Sequence, residues 1–341
     1  MPGNVSIVIP TWNGRHLLER FLPSVEDSAR AYRKTSGADV EIVVVDDGST
    51  DDSVEWLAGR ARTSDVPIRV VALDRNGGFG VACNRGVEAA RNPLVLLLNN
   101  DVALDPGAIA PLVRQFDRAD ASPSLFAAHC RVVDFDTNAV SGRGQLGQFR
   151  RGFIRIHEPY DPDGSEADFS PSMFASGGTS MFDRTRFLEL GGFDPLFAPF
   201  YYEDVELSYR AWKRGLAVTY VPESLARHRF SSTIGLQAQR RIRRISQRNR
   251  LFLHWIHLHD MPWLARHVMW VTLLFITAPI TLRFDFMRSV AAALRHLPEV
   301  RARRRKERSL ARRTDRDLIG LFDARADTSD KSDTRQKKRP A

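Results

Sequence analysis

Short apolar runs alternate with amphipathic segments along the first hundred residues. The apolar runs hold four or five consecutive β-branched or leucine residues and are flanked by turn residues, which is typical of strands buried on both faces. They predict strands at Val5–Pro10, Glu41–Val45, Ile68–Leu73 and Leu94–Leu98. The segments between them predict helices at Arg15–Lys34, Ser53–Arg62 and Val81–Ala90. This alternation predicts an α/β fold around a mainly parallel sheet.

Two of these predicted strands run directly into carboxylates. The strand at Glu41–Val45 continues into the acidic turn Asp46–Asp52, and the strand at Leu94–Leu98 continues into Asn99–Asp101. In open α/β sheets, ligands bind at the carboxyl ends of the strands. The pattern therefore predicts a site that coordinates a metal ion or binds the polar parts of a nucleotide.

The alternation loosens beyond Asp101. A polar stretch rich in glycine and aspartate, Asp134–Ser172, has little periodicity and is expected to be a functional loop. The remaining predicted elements are a helix at Pro106–Arg118, a strand at Leu125–Val133, helices at 185–190 and 203–214, a strand at Ala217–Val221 and basic helices from about Ile234. The chain is therefore expected to continue the α/β unit and to end in helices.

Charge is distributed unevenly over the 341 residues. Residues 1–229 contain 25 Lys and Arg against 31 Asp and Glu, which gives a formal charge of −6. Residues 230–341 contain 25 against 10, which gives +15. A basic segment of this kind suits nucleic acid or an anionic membrane surface. The acidic site and the basic segment therefore need separate explanations.

Neither end-of-chain signals nor cysteines point to secretion. The first ten residues lack a basic leader and a cleavage site, so a cytoplasmic location is expected. The two cysteines, Cys83 and Cys130, form no disulfide framework and lack metal-ligand spacing. Buried free thiols are expected at both positions.

Three motifs place polar residues or glycines at strand ends. Asp46–Asp52 can accept hydrogen bonds from a ribose or a base N–H, and it can equally well be a loop with a helix cap. Asn76–Gly86 puts glycines before a helix, where backbone N–H groups can meet phosphate. It matches neither the dinucleotide fingerprint nor the P-loop, which argues against nicotinamide and ATP. Asn99–Asp101 offers one carboxylate and amide oxygens to Mg²⁺.

A cluster of acids opens the helix predicted at 203–214. Glu203, Asp204 and Glu206 fall in its first turn, where the helix dipole stabilises negative charge. A carboxylate at this position can also act as a general base at the mouth of a site. His228 follows the last predicted strand and has either a structural or a ligand role. Spacing alone leaves these alternatives open.

The order of the motifs closely resembles that of the inverting glycosyltransferases of family two. The resemblance runs from Val5 to about Ser232 and includes Ile9–Asn13, Val45–Asp51, Asn76–Gly86, Leu98–Asp101, Ser176–Phe182, Gly191–Asp194, Glu203, Asp204 and His228. It implies the GT-A fold, a mainly parallel Rossmann-like sheet flanked by helices, here followed by a C-terminal helical extension. The implied catalytic domain is 1–232, with a nucleotide-binding half at about 1–101 and an acceptor half at about 102–232.

The resemblance also implies a donor site. Its implied contacts with the nucleotide sugar are Pro10, Thr11, Asp46, Asp47, Asn76, Gly77, Asn84, Asn99, Asn100, Gly177 and Gly178. Thr11 and Asp47 would contact a pyrimidine base, with Asp46 nearby. Gly177 and Gly178 would line the junction between donor and acceptor.

The resemblance further implies a metal site and a catalytic base. Asp101 and His228 would bind Mg²⁺ or Mn²⁺, and Asp204 would be the base, with Glu203 the second candidate. Asn99 replaces the first Asp of the family's metal motif, as in rhamnosyltransferase-like members. This substitution is expected to weaken metal binding, and it leaves the donor sugar open.

The C-terminal third carries two weak membrane signals. Val268–Leu282 has fifteen uncharged residues, which is short for a membrane span. It suits an interfacial helix, and packing on the catalytic domain is an equal alternative. The segment 233–300 is therefore expected to be helical and membrane-associated. Residues 301–341, charged and poor in aromatics, are expected to be a basic disordered tail.

The sequence therefore predicts an inverting glycosyltransferase in cell-surface polysaccharide assembly, peripheral to the inner face of the cell membrane. It would use a dTDP- or UDP-sugar donor and a saccharide acceptor that is expected to be lipid-linked. The alternative is a non-catalytic protein of the same fold that binds a nucleotide sugar or carbohydrate. Nucleic acid is not expected as a partner, because the basic segment lacks interleaved aromatics and a known module.

Overall fold

The structure is a computed structural model that describes residues 3–117, 124–157, 170–229 and 236–322. The strands are β1 Val5–Thr11, β2 Val40–Asp46, β3 Ile68–Ala72, β4 Leu94–Leu98, β5 Val102–Leu104, β6 Leu125–Asp134, β7 Val140–Gly142, β8 Leu146–Arg150, β9 Phe153–His157, β10 Ser170–Pro171, β11 Thr179–Asp183 and β12 Ala217–His228. The helices are α1 Arg15–Ser36, α2 Ser53–Thr63, α3 Phe79–Ala89, α4 Ile109–Phe116, α5 Arg184–Leu190, α6 Glu203–Lys213, α7 Leu236–His257, α8 Met261–Thr277, α9 Phe284–Arg295 and α10 Leu297–Leu310. Residues 315–322 are also helical.

The chain divides into two compact units. Unit 1 comprises Met1–Gly144, Ser165–Leu207 and Leu216–Phe230, and unit 2 comprises Gln145–Gly164, Ser208–Gly215 and Ser231–Ala341. The single boundary expected near residue 232 therefore does not describe the packing. Two inserts from the N-terminal part, 145–164 and 208–215, group with the C-terminal helices.

Unit 1 is built on one large sheet. Its strand order is β10-β12-β6-β11-β4-β1-β2-β3, with β5 paired to β12 and β7 to β6. The predicted α/β fold is confirmed, and β3, β2, β1 and β4 are parallel neighbours. Beyond β4 the sheet is mixed, because β11 runs antiparallel to both β4 and β6. The mixing starts where the regular alternation of strand and helix ends, since only parallel neighbours require a crossover connection.

The core of unit 1 lies where the apolar runs predicted it. Every residue of β1, β2 and β4 is buried. α3 packs directly on β1 and β2. Cys83 on α3 and Cys130 on β6 are buried free thiols, as expected. This rigid layer holds the carboxyl ends of β1, β2 and β4 in fixed positions.

The stretch Asp134–Ser172 is more ordered than expected. It contains β7 and an antiparallel hairpin of β8 and β9, while residues 158–169 lie outside the described part of the chain. The hairpin turns through two residues, Arg151 at φ 49° and Gly152 at φ 75°. Two-residue hairpin turns with positive φ usually carry Asn-Gly or Asp-Gly. This turn was not predicted from the sequence, because Arg-Gly is not one of these pairs.

The expected disorder of 301–341 is wrong for its first part. α10 extends to Leu310, and helical residues 315–322 bury Leu318, Ile319 and Phe322. Asp315 is also fully buried and bonds to Lys213 and Tyr209 within unit 2. Composition predicted disorder because these few buried residues are diluted by arginines. Residues 323–341 lie outside the described range.

The segment Val268–Leu282 covers most of α8 and the turn after it. Across the ranges described above, no helix combines the length and the apolar character that a membrane crossing requires. Several apolar side chains are nevertheless exposed in this region of unit 2: Val268, Met269, Leu273, Phe275, Ile276, Ile280 and Leu282. Packing of this segment on unit 2 therefore leaves much of its apolar surface uncovered.

Candidate functional site

Three strand ends meet at one edge of the unit 1 sheet. Thr11, the last residue of β1, pairs in register with Asp46, the last residue of β2. Asn100, just past β4, donates from Nδ2 to Thr11 Oγ1 at 2.9 Å. The Asp47 amide donates to the Thr11 carbonyl at 2.8 Å. The two acidic strand ends singled out in the sequence therefore lie on either side of the end of β1.

Asp46 and Asp47 have different surroundings although both are buried. Asp47 accepts hydrogen bonds from the Gly77 and Gly78 amides, each at 2.8 Å, one at each carboxylate oxygen. Burial raises the pKa of Asp47, and these two amides oppose that rise. Asp46 accepts from the Ser49 amide at 3.0 Å through Oδ2, while its buried Oδ1 has no partner among the described residues.

The glycine loop is therefore shaped by Asp47. Gly48, which follows it, has a φ of +70° and lies so close to the Arg75 backbone that any β-carbon would clash. Gly77 and Gly78 direct their amides at the Asp47 carboxylate. Asp47 thus holds the loop through both carboxylate oxygens, whereas Asp46 is the acid with a buried oxygen that has no partner among the described residues.

Three of the implied donor contacts, Asn84, Pro10 and Asn76, differ in burial and in hydrogen bonding. Asn84 on α3 donates from Nδ2 to the Phe193 carbonyl at 2.8 Å and accepts from the Phe193 amide at 2.9 Å. Its amide group is thus engaged by the main chain on both its oxygen and its nitrogen. Pro10 is buried inside β1, whereas the Asn76 side chain is exposed at the loop tip.

The two implied metal ligands come together from distant parts of the chain. His228 Nε2 lies 3.0 Å from Asp101 Oδ1, and both side chains are about one-fifth exposed, at 20% and 22%. Pairing of β12 with β5 sets this distance, because His228 pairs with Val102 and the Arg229 amide donates to the Asp101 carbonyl.

The pair fits a divalent cation that keeps open positions. One carboxylate and one imidazole are ligands that metal sites use, and Mg²⁺ or Mn²⁺ usually completes its shell with phosphate oxygens and water. Within the described ranges, His, Cys, Asp and Glu form no group of three or more that can hold a metal.

Asp204 and Glu203 form the start of α6. Asp204 accepts from the Gly177 amide at 3.2 Å through Oδ2 and from the Val205 amide at 2.8 Å through Oδ1. Desolvation raises the pKa of Asp204. Glu203 is buried, and its Oε2 has no partner in the described part of the chain. Burial, and then the charge of Asp204, raises the pKa of Glu203.

The loop at Gly177 and Gly178 links these acids to the end of β4. The Asn99 amide donates to the Gly178 carbonyl at 2.9 Å. The Asn99 side chain lies against Gly178 so closely that no β-carbon fits there. The backbone of this loop therefore connects the carboxylate at the start of α6 to the Asn99–Asp101 turn.

The structure adds residues that the sequence reasoning passed over. Trp12 follows Thr11 and is 56% exposed at the same edge of the sheet. Tyr201 and Tyr202, directly before Glu203, have φ values of 69° and 74°, a region that bulky side chains rarely adopt. Trp12 was visible in the Ile9–Asn13 motif, but the strained tyrosines carry no signal in the sequence pattern.

A parallel sheet whose strand ends carry these acids, extended by a mixed half that supplies His228 and the 177–178 loop, is the architecture of the GT-A fold. The profile of Glycosyl transferase family 2 matches residues 6–191, more than half of the chain. The chain belongs to this family.

Individual relatives match over shorter or more divergent ranges. A Pseudomonas fluorescens protein named undecaprenyl-phosphate 4-deoxy-4-formamido-L-arabinose transferase is 38% identical over 111 residues, which is 33% of this chain and 32% of that protein. The match thus spans about a third of the relative's length. The implied rhamnosyl specificity has no support in this relative.

Solved structures confirm the fold. GalNAc-T7, crystallised with UDP, GalNAc and Mn²⁺, superposes with a TM-score of 0.60 at 21% identity, over 75% of this chain and 48% of that one. TarS 1–349 from S. aureus, in complex with UDP-GlcNAc, gives 0.53 at 14% identity, over 93% and 89%. At these identities the likeness establishes the architecture alone.

Proposed function

We propose that the protein is a metal-dependent inverting glycosyltransferase that moves a sugar from a UDP- or dTDP-linked donor to a lipid-linked acceptor in cell-surface polysaccharide assembly. The observation that carries this proposal is the arrangement of unit 1. The 177–178 loop joins the carboxylate at Asp204 to the strand end that bears Asp101, which lies 3.0 Å from His228. The family match and the relative named as an undecaprenyl-phosphate sugar transferase support the same assignment.

The nucleoside would lie across the ends of β1 and β2. Asp46 Oδ1 is a buried acceptor without a partner among the described residues, and an unmet acceptor is costly unless a ligand donates to it. A pyrimidine imide N–H or a ribose hydroxyl can supply that donor. We therefore assign the base or ribose contact to Asp46 with Thr11, and assign Asp47 to shaping the loop.

Asp101 and His228 would hold a divalent cation together with the donor diphosphate. Such a cation neutralises negative charge on the departing nucleoside diphosphate when it is bound. The GT-A neighbour crystallised with UDP and Mn²⁺ supports this assignment. The amide of Asn99 takes no charge, so the chain contributes a single carboxylate at this strand end.

Asp204 would act as the general base. It would accept the proton of the acceptor hydroxyl while that oxygen attacks the anomeric carbon on the face opposite the diphosphate. A pKa raised by desolvation brings a carboxylate closer to the operating pH, where a base works best. The Gly177 amide holds the carboxylate in place. The reaction needs no nucleophilic side chain, so the product configuration is inverted.

We place the enzyme at the inner face of the cell membrane. A lipid-linked acceptor requires the catalytic unit to work near a bilayer, and the exposed apolar side chains of Val268–Leu282 can enter its interface.

Thermal unfolding with added nucleotides tests the donor assignment. UDP or dTDP with Mn²⁺ is expected to stabilise the protein by about 2.7 kcal/mol at a hundredfold excess over Kd. NAD with Mn²⁺ serves as the control and is expected to give no shift. Equal stabilisation by NAD, or none by either diphosphate, would overturn the proposal.

A further inference from the structure

Five arginines line a groove between α7 and α9 of unit 2. The groove has a volume of about 420 Å³ and contains Arg241, Arg244, Arg248, Arg288 and Arg295. The three on α7 are spaced i, i+3 and i+7, and the two on α9 are spaced i and i+7, so each helix presents its arginines along one stripe. Ala291 and Ala292 also line the groove and leave room between the two stripes.

The five arginines of the groove differ in their ion pairs. Among the described residues, Asp285 lies 3.8 Å from Arg244 and 3.7 Å from Arg288. Arg241 and Arg295 form no ion pair with any residue in the described ranges. Burial lowers the pKa of Arg248. Like charges gathered in one groove repel one another, and a bound anion would relieve that repulsion.

An exposed apolar surface adjoins the same helix. Phe284 is 49% exposed and lies one turn before Arg288 on the same stripe of α9. Ile280 and Leu282, in the turn leading into α9, are 83% and 77% exposed. A site for a soluble anion has no need of bare apolar side chains beside it, whereas a lipid surface presents phosphates next to hydrocarbon.

We infer that the arginine groove binds the phosphates of anionic lipid headgroups while Ile280, Leu282 and Phe284 enter the interface. This inference rests on the proposed function, since a lipid-linked acceptor places the enzyme at a membrane, and it names the surface that docks. The cluster Arg301–Arg305 is a weaker candidate, because Arg304 donates to the carbonyls of Trp255 and Leu258 at 2.9 Å and 2.8 Å.

Vesicle sedimentation of the full chain tests this inference. The vesicles are phosphatidylcholine with and without phosphatidylglycerol. The test variant is Arg241→Gln with Arg295→Gln, two residues that make no internal ion pair in the described part of the protein. The matched control is Arg301→Gln with Arg305→Gln, which removes the same charge from exposed positions on α10.

The groove variant is expected to bind anionic vesicles about 25-fold more weakly, since each arginine near such a surface changes partitioning about fivefold. The control variant is expected to lose much less, and Phe284→Ser is expected to weaken binding without changing the charge. Equal losses in both arginine variants would overturn the inference, because general electrostatics would then explain the binding.

Two further arms identify the source of the phosphate. Binding of inorganic pyrophosphate or of duplex DNA in preference to anionic vesicles would overturn the lipid assignment. Transfer to a soluble acceptor without vesicles is expected to be unchanged in the groove variant. If the groove variant binds anionic vesicles as tightly as the wild type while the wild type transfers sugar, the groove alone is refuted, whereas absence of transfer in the wild type would refute the proposed function.

Discussion

Two neighbouring acids at the start of α6, Glu203 and Asp204, differ in their hydrogen bonds although both are in the first turn of the helix. Asp204 is held by the Gly177 amide, whereas Glu203 is buried with an unpartnered Oε2 among the described residues. Both pKa values are raised, and the charge of one carboxylate opposes ionisation of the other. Asp204 is the acid with an anchored carboxylate, and Glu203 is the one more readily kept neutral.

The metal assignment predicts a specific loss at His228. His228→Ala is expected to weaken Mn²⁺ binding in the presence of UDP by at least about 10- to 100-fold, the range seen even for groups that only support a ligand. Calorimetric titration of Mn²⁺ into the UDP complex measures this. His157→Ala, an exposed histidine on β9, is the control. Unchanged Mn²⁺ affinity in His228→Ala would remove His228 from the metal site.

At the scale of elements, the Asn84 side chain of α3 holds the loop after α5. The Asn84 amide bonds to both the N–H and the C=O of Phe193, which is itself buried. Phe193 in turn packs against Phe187 with ring centroids 5.4 Å apart. We expect this clamp to give the asparagine of the glycine-loop motif a structural role.

If Asn84 acts as this clamp, its substitution is expected to lower the stability of the protein and to leave nucleotide binding unchanged. Asn84→Ala leaves two main-chain groups of Phe193 unpaired and is expected to lower the free energy of unfolding by about 2 kcal/mol. Urea unfolding measures the change. Asn76→Ala, with an exposed side chain, is expected to leave stability unaltered. If Asn84→Ala keeps full stability but weakens UDP binding, the clamp assignment is wrong and the nucleotide contact stands.

At the scale of the whole molecule, the helical residues after α10 are part of the folded structure. Asp315 is fully buried and accepts hydrogen bonds from Tyr209 at 2.7 Å and Lys213 at 2.9 Å. Its other oxygen accepts from the His259 and Asp260 amides at 2.6 Å and 2.8 Å. One carboxylate thus ties three segments of unit 2 together.

Asp315→Ala is therefore expected to be severely destabilising. It leaves the Lys213 ammonium buried without its partner, a change that typically costs about 3–5 kcal/mol. Asp317→Ala, two residues further on and exposed, is expected to cost about 1 kcal/mol or less. Parallel urea titrations compare the two variants. A similar small loss in both would show that residues 315–322 contribute little to folding.

Those elements whose apolar pattern is local in the sequence could be predicted from it. β1, β2 and β4 were predictable because buried parallel strands are apolar along their whole length. The register that pairs Thr11 with Asp46 was not predicted, since it depends on the order of the strands in the sheet. The hydrogen bonds of Asp47 and Asn84 were not predictable, because tertiary packing determines their partners, Gly77, Gly78 and Phe193.

Burial through contacts between distant parts of the chain could not be predicted from the sequence. The division of the chain into two units depends on inserts at 145–164 and 208–215, and no shift in composition marks them. A disordered tail was predicted from the charge of 301–341. In the structure, Asp315 and the apolar residues Leu318, Ile319 and Phe322 are buried. The pattern of polar and apolar residues shows how many residues are apolar. It does not show which of them come into contact in the folded chain.

The rate of sugar transfer by Asp204→Asn, measured beside UDP or dTDP binding, tests the central claim most directly. An amide keeps the hydrogen-bonded position but cannot accept a proton, so transfer is expected to fall by about 10²–10⁴. Donor binding is expected to stay within about twofold of the wild type, since Asp204 acts on the acceptor. Retention of more than about a tenth of wild-type turnover would contradict the account and move the base elsewhere, first to Glu203.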